Sequence, residues 1–208
     1  CARSNIPNRP DVPIIGVVTR LTHQKGIHLI KHGIYKALER GCQVVLLGSA
    51  PDPSVQREFE DMANALKQNH FNDAALHLYF DEPLSHLIYA GSDMLLVPSM
   101  FEPCGLSQLI AMRYGAVPVV RRTGGLADTV HDYDHGHAKA EWEGMSPNGF
   151  QFDGTEAHDI DYALNRGIDL FYNDREAFSA LQANCMSCDF SWNRPALDYI
   201  ELYHAARK

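Results

Sequence analysis

A chain of 208 residues suits one large domain or two small ones, and 45 % hydrophobic against 21 % charged residues excludes a disordered chain and supplies a substantial core. The net charge of -8 argues against a nucleic-acid or anionic-membrane partner, so any phosphate site must be local, built from a few cations and backbone N–H groups. No apolar run approaches the ~20 residues that span a bilayer, no secretory leader is legible, and a chain that opens on Cys1 reads as a fragment.

The first apolar run, Pro13–Thr19, predicts a strand covered on both faces. The turn leaving it, Thr19-Arg20-Leu21-Thr22-His23-Gln24-Lys25-Gly26, carries Arg20 and Lys25. Two cations there are suited to clamp a diphosphate and stabilise its charge on departure, or are a pair of solvated surface charges. A helix over 27–40 stops at Gly41, and a strand at Gln43–Leu47 runs into Gly48-Ser49. A helix over 54–69 and a strand at Ala75–Phe80 follow. Phe80 either stacks on a nucleobase or closes the core. A helix over 84–91 ends at Gly91.

The strand Met94–Pro98 leads into Phe101-Glu102-Pro103-Cys104-Gly105-Leu106-Ser107, ahead of a helix over 106–114 that stops at Gly115. A carboxylate, Glu102, thus stands on a strand-to-helix turn, with unpaired helix N–H groups beyond it that suit a phosphate. Such a pairing points to chemistry on a sugar phosphate or nucleotide sugar; a structural helix-start carboxylate is the alternative. No second carboxylate lies near in sequence, so the paired acids of a glycosidase are not indicated. After the strand Ala116–Val120, Arg122-Thr123-Gly124-Gly125-Leu126 forms another such turn before a helix over 125–131. Its glycines either approach a ligand or pack helix on sheet.

Residues 132–148 are polar and read as a long loop. His131, His135 and His137 resemble metal ligands there but lack helical ligand spacing, so no metal is assigned. A strand at Gly149–Phe152 precedes helices over 156–172, 174–188 and 195–206, with Pro195 in a first turn. Five scattered cysteines fit reduced thiols; Cys185 and Cys188 form a CxxC spacing at a helix end without a second ligand pair. P-loop, GxGxxG, HExxH and GxSxG patterns are absent.

Strand-helix alternation of this kind predicts an α/β fold, a doubly wound parallel sheet with helices on both faces. Ligands of such sheets bind at the carboxyl ends of strands where the strand order reverses, so Arg20, Gly48, Phe80 and Glu102 can share one crevice.

Four segments in order, Thr19–Gly26, Phe101–Leu106, Arg122–Val130 and Asp189-Phe190-Ser191-Trp192, resemble the C-terminal half of starch synthases and bacterial glycogen synthases, over Ile14 to Lys208. Lys31-His32, Asp81–Gly91 and the tail Trp192–Lys208 are most similar to the plant-type starch synthase III class. The resemblance implies a Rossmann-like C-terminal domain of a B-type, metal-independent glycosyltransferase, with residues 1–208 as the donor-binding domain and the N-terminal catalytic domain outside this chain. It implies transfer of glucose from ADP-glucose to the non-reducing end of an α-1,4-glucan with retention, and no cofactor. Arg20 and Lys25 then contact the diphosphate, and Glu102 is the essential carboxylate beside glucose. Backbone of Cys104, Gly105, Leu106 and Ser107 contacts glucose and phosphate, while Phe80 lies against adenine. Gly48, Thr123, Gly124 and Gly125 complete the expected donor site. Phe80 stands where Tyr is usual and Ser107 where Thr is commoner. The implied partners are the nucleotide sugar, the glucan and the N-terminal domain, in a plastid or otherwise a cytoplasm. Rivals are a UDP-glucose enzyme of the same architecture, such as a sucrose synthase, and a non-catalytic glucan-binding module.

Overall fold

Six short apolar segments lie side by side because each presents hydrophobic side chains to both faces, which only a sheet covered on both sides can bury. In the computed structural model, which describes residues 4–207, they are β1 (Ile14–Val18), β2 (Gln43–Leu47), β3 (Ala74–His77), β4 (Met94–Val97), β5 (Val117–Arg121) and β6 (Phe150–Phe152). Every pairing is parallel, in the order β3-β2-β1-β4-β5-β6. The chain winds outward from β1 to β3, then returns and winds the other way from β4 to β6. The reversal falls between β1 and β4, where Ile15 pairs with Met94 and Gly16 with Leu95.

Alternation along β2 shows how both faces are filled. Val44 and Leu46 enter the main core, whereas Val45 and Leu47 pack with Leu84 and Ile88 in a second cluster. One face carries α1 (Ile27–Glu39) between α2 (Pro53–Asn69) and α7 (Ala157–Asn173). Lys31 of α1 lies 5.2 Å over the Phe59 ring of α2, and Arg40 Nη1 donates to Asn165 Oδ1 of α7 at 2.7 Å. The other face carries α3 (Glu82–Gly91), α4 (Ser107–Arg113) and α8 (Arg175–Ser187). Side-chain caps start several helices as the sequence directs: Asp52 accepts from Ser54 N, Asp81 from Leu84 N and Asp174 from Ala177 N.

The doubly wound parallel sheet read from the sequence is the fold observed, with local differences. Gly41 and Gly115 end their helices at φ 76° and 81°, but Gly91 is the last residue of α3, and Ser92 Oγ donates to the Ile88 carbonyl instead. β3 ends at His77, three residues before Phe80, so Phe80 does not close a strand. The expected loop 132–148 contains a helix, α6 (His137–Trp142), in which only Ala140 is buried; without an apolar stripe it has no periodic signal. Beyond α5 (Gly125–Thr129) on the sheet and α8, the chain ends in α9 (Asn193–Ala206), whose described side chains are all exposed, Leu197, Ile200 and Leu202 among them.

Candidate functional site

Lys25 ends a single 3-10 turn, His23–Lys25, just beyond β1. Gly26 closes that turn at φ 69°, a conformation that side chains resist, and a Cβ there would stand 2.2 Å from the Pro98 carbonyl oxygen. The turn therefore lies directly on the loop leaving β4. Met100 N–H donates to the Gln24 carbonyl at 2.8 Å, and Gln24 Nε2 donates to the Phe101 carbonyl at 3.1 Å. These bonds deliver Lys25 Nζ to Glu102 Oε2, 77 positions away, as a direct ion pair. Ser99 Oγ donates to the same oxygen at 3.1 Å. Glu102 is only 8 % exposed, yet among the described residues its Oε1 has no hydrogen-bond partner. Half of a nearly buried carboxylate is thus left to accept from a hydroxyl.

Three elements brace the Glu102 loop. Gly125 N–H donates to the Glu102 carbonyl at 2.9 Å, and a Cβ on Gly124 or Gly125 would strike the carbonyl oxygens of Glu102 and Cys104 at 2.1 and 1.8 Å. The paired glycines therefore serve close packing of one turn on the other. Fully buried Gln108 donates Nε2 to the carbonyls of Cys104 and Gly105 at 3.2 and 3.0 Å. Arg121 Nη1 donates to the Met100 carbonyl at 2.8 Å. Gly105 takes φ 76°, and no side chain caps α4, which leaves its first N–H groups unpaired.

Next to this loop lies a cavity of about 400 Å³ over the carboxyl ends of β1 and β2. Arg20, Gly48, Phe80 and Ser107 all line it, although they are spread over three crossovers of the chain. Phe80 is 85 % exposed and Arg20 is exposed, so neither serves the core. Lys25, Cys104, Gly105, Leu106 and Thr123 are not in this wall; they occupy the turns that join it to Glu102. Sequence reasoning missed Ser99, Asp81 and Tyr89. Asp81 carried a signal as the capping residue ahead of α3. Burial pushes the Tyr89 phenol above its usual range, against the Ser107 hydroxyl, so it forms a neutral wall.

A second polar centre lies at the other end of the sheet. Asp132, Asp134 and His135 bring possible ligand atoms within 4.8 Å of one another. Arg166 of α7 fills that space, donating Nη1 to Asp132 Oδ1 and Asp134 Oδ2 at 2.8 and 2.6 Å, and Nη2 to Asp132 Oδ2 at 2.9 Å. Backbone N–H groups of Asp134, His135 and Gln151 complete the Asp132 carboxylate. Burial raises the Asp132 pKa, but the Arg166 hydrogen bonds and charge outweigh it and hold the carboxyl below its usual range. A cation already occupies these donors, so they do not fit a metal ion. The CxxC spacing is likewise absorbed by packing: buried Cys185 donates to the Asn148 carbonyl at 3.1 Å, and Asn148 Nδ2 donates to Cys188 Sγ at 3.4 Å. Burial raises the Cys185 thiol well above its usual value and pushes Cys42 up to about 12, so both stay protonated.

A parallel sheet reversed between β1 and β4, with a basic turn and an acidic loop in contact across the reversal, defines a Rossmann-like ligand-binding domain. Residues 2–184 match the family described as glycosyl transferases group 1, and the chain belongs to that family. It is 60 % identical to starch synthase 3, chloroplastic/amyloplastic, of Arabidopsis thaliana, over all of this chain and 20 % of that protein. Identity to soluble starch synthase 3, chloroplastic/amyloplastic, of Solanum tuberosum is 62 % over 95 % of this chain and 16 % of that protein. The catalytic domain of starch synthase IV from Arabidopsis thaliana, solved bound to ADP and acarbose, superposes with a TM-score of 0.90 at 44 % identity, over 98 % of this chain and 40 % of that one. The fold is that of the C-terminal domain of B-type glycosyltransferases. The chain spans a fifth or less of the length of these two curated relatives.

Proposed function

We propose that this chain is the donor-binding half of a starch synthase, which transfers glucose from ADP-glucose to the non-reducing 4-hydroxyl of an α-1,4-glucan with retained configuration. The observation that carries this reading is the Lys25–Glu102 pair, one loop away from a cavity that Arg20 and Phe80 line. Adenine lies against the exposed ring of Phe80, and the diphosphate runs past Gly48 to Arg20 and Lys25. As the glycosidic bond breaks, these two cations take up the leaving charge. Lys25 then exchanges part of its contact with Glu102 for phosphate. Glu102, with Oε1 unengaged, accepts from glucose hydroxyls and offsets charge developing at the sugar carbon. Cys104 to Ser107, Thr123 and Gly124 supply backbone contacts around glucose and phosphate, while Gly125, expected among them from the sequence, holds its turn against the Glu102 loop, and the scheme needs no cofactor.

The acceptor side belongs to a second, N-terminal domain, a reading supported by the greater length of the relatives and by the bare apolar side chains of α9. On its own the 208-residue chain is expected to bind ADP weakly and to incorporate no glucose from ADP-glucose into glucan. The chloroplastic/amyloplastic relatives support a plastid location, and no described helix is long and apolar enough to cross a membrane. In the full-length enzyme, Glu102→Gln should lower turnover by about 100-fold or more while ADP affinity holds. Near-normal turnover of that variant overturns the assignment.

A further inference from the structure

A separate cavity of about 660 Å³ lies over the carboxyl ends of β5 and β6. Its wall contains a flat surface made of two rings. Tyr162 on α7 and His135 before α6 have ring planes only 9° apart and centroids 6.3 Å apart, and the Tyr162 hydroxyl meets His135 Nε2 at 2.7 Å. With that bond between their edges, the rings must lie end to end, nearly in one plane. The Arg166 guanidinium covers one face of Tyr162, 4.4 Å from its centroid, and is itself fixed by Asp132 and Asp134. Arg166 is not part of the cavity wall, whereas Tyr162 is, and Tyr162 is 51 % exposed. The face turned to the cavity is therefore bare.

A rigid aromatic face clamped from behind suits the C–H face of a pyranose ring, and polar side chains around it suit the ring's hydroxyls. Those side chains are Arg122, Asp153, His158 and Asp159. Asp153 pairs both its oxygens with Arg122 at 2.5 and 2.6 Å, so the one arginine in the wall is neutralised. A phosphorylated ligand finds no open arginine there; a neutral, hydroxyl-rich one finds donors, acceptors and a stacking plane. The neighbouring Arg121 ties this wall to the Glu102 loop, donating to the carbonyls of Asp153 and Met100 at 3.1 and 2.8 Å.

We propose that this cavity is a second saccharide site, which holds a run of α-1,4-glucan on the Tyr162–His135 platform, across the sheet from the donor crevice. The saccharide class rests on the cavity; the choice of α-glucan rests on the function proposed above. Calorimetric titration of this chain with maltoheptaose tests it, with ADP titrated in parallel. Wild type binds maltoheptaose, Tyr162→Ala loses about tenfold or more in affinity, and Tyr162→Phe, which keeps the stacking face, loses far less. Amide shift changes in the wild-type chain must fall on residues 135, 153, 159 and 162, a readout independent of any variant. Equal affinity of wild type and Tyr162→Ala, shifts elsewhere, or no binding at millimolar maltoheptaose overturns the site. Equal binding of a β-1,4-linked heptasaccharide overturns the choice of α-glucan. Failure of ADP to bind while maltoheptaose still perturbs Tyr162 sinks the donor assignment and leaves the saccharide site standing.

Discussion

Asp132 and Glu102 are both nearly buried carboxylates, and each meets a cation from a distant part of the chain. Around Asp132 every oxygen is taken, by two bonds from Arg166 and three from backbone N–H groups. Around Glu102 both contacts fall on one oxygen, and the other has no partner among the described residues. A saturated carboxylate fixes a loop and has no capacity left for a ligand. A half-used one, held in place by its neighbours, keeps that capacity. The contrast separates a structural centre from a candidate chemical one within a single sheet, although both consist of the same residue types.

The sharpest way to break the comparison is to remove each cation in turn. Arg166→Leu leaves Asp132 buried without its charge partner and should cost about 3–5 kcal/mol, read from the shift in urea midpoint. Acid tests the same centre in the wild type. Asp132 is held below its unfolded pKa, so its contribution is present at neutral pH and is lost as pH falls below about 4 and on through the lowered value. The Arg166→Leu chain should lack most of that acid-dependent increment. Lys25→Gln should act on binding instead, weakening ADP by roughly 10- to 100-fold, the worth of a charge-assisted hydrogen bond at about 1.5–3 kcal/mol. Its midpoint should move much less than that of Arg166→Leu; equal losses of stability would erase the distinction. Glu102→Gln should change stability by at most about 1–2 kcal/mol, because Gln keeps the shape and Ser99 can still donate to it. Smallest is Phe80→Ala, which should cost about 0.5–1.5 kcal/mol of ADP affinity and nothing measurable in stability, since the ring is exposed.

The sheet was legible because each strand is a short apolar run bounded by Gly, Pro or a charged turn, and such runs have few alternatives to burial on both faces. Arg20, Gly48 and Phe80 could be grouped because position past a strand's carboxyl end is a topological property, readable before any contact is known; Glu102, grouped with them on the same ground, lies outside the cavity wall, and Ser107 was reached only through the family resemblance. The Lys25–Glu102 contact was not legible. It depends on the left-handed turn at Gly26 meeting the β4 loop, a tertiary event between residues 77 positions apart. The Arg166 centre was hidden for the same reason: its carboxylates lie in a polar stretch and its cation on a helix 34 positions later. The helix α6 left no trace because a short helix resting on one buried alanine has no hydrophobic period.

A crystal of this chain soaked in ADP tests the central claim most directly. The account predicts adenine against Phe80 and the diphosphate beside Gly48, with Arg20 and Lys25 on its oxygens. ADP bound elsewhere, or a diphosphate that leaves both cations untouched, would contradict it.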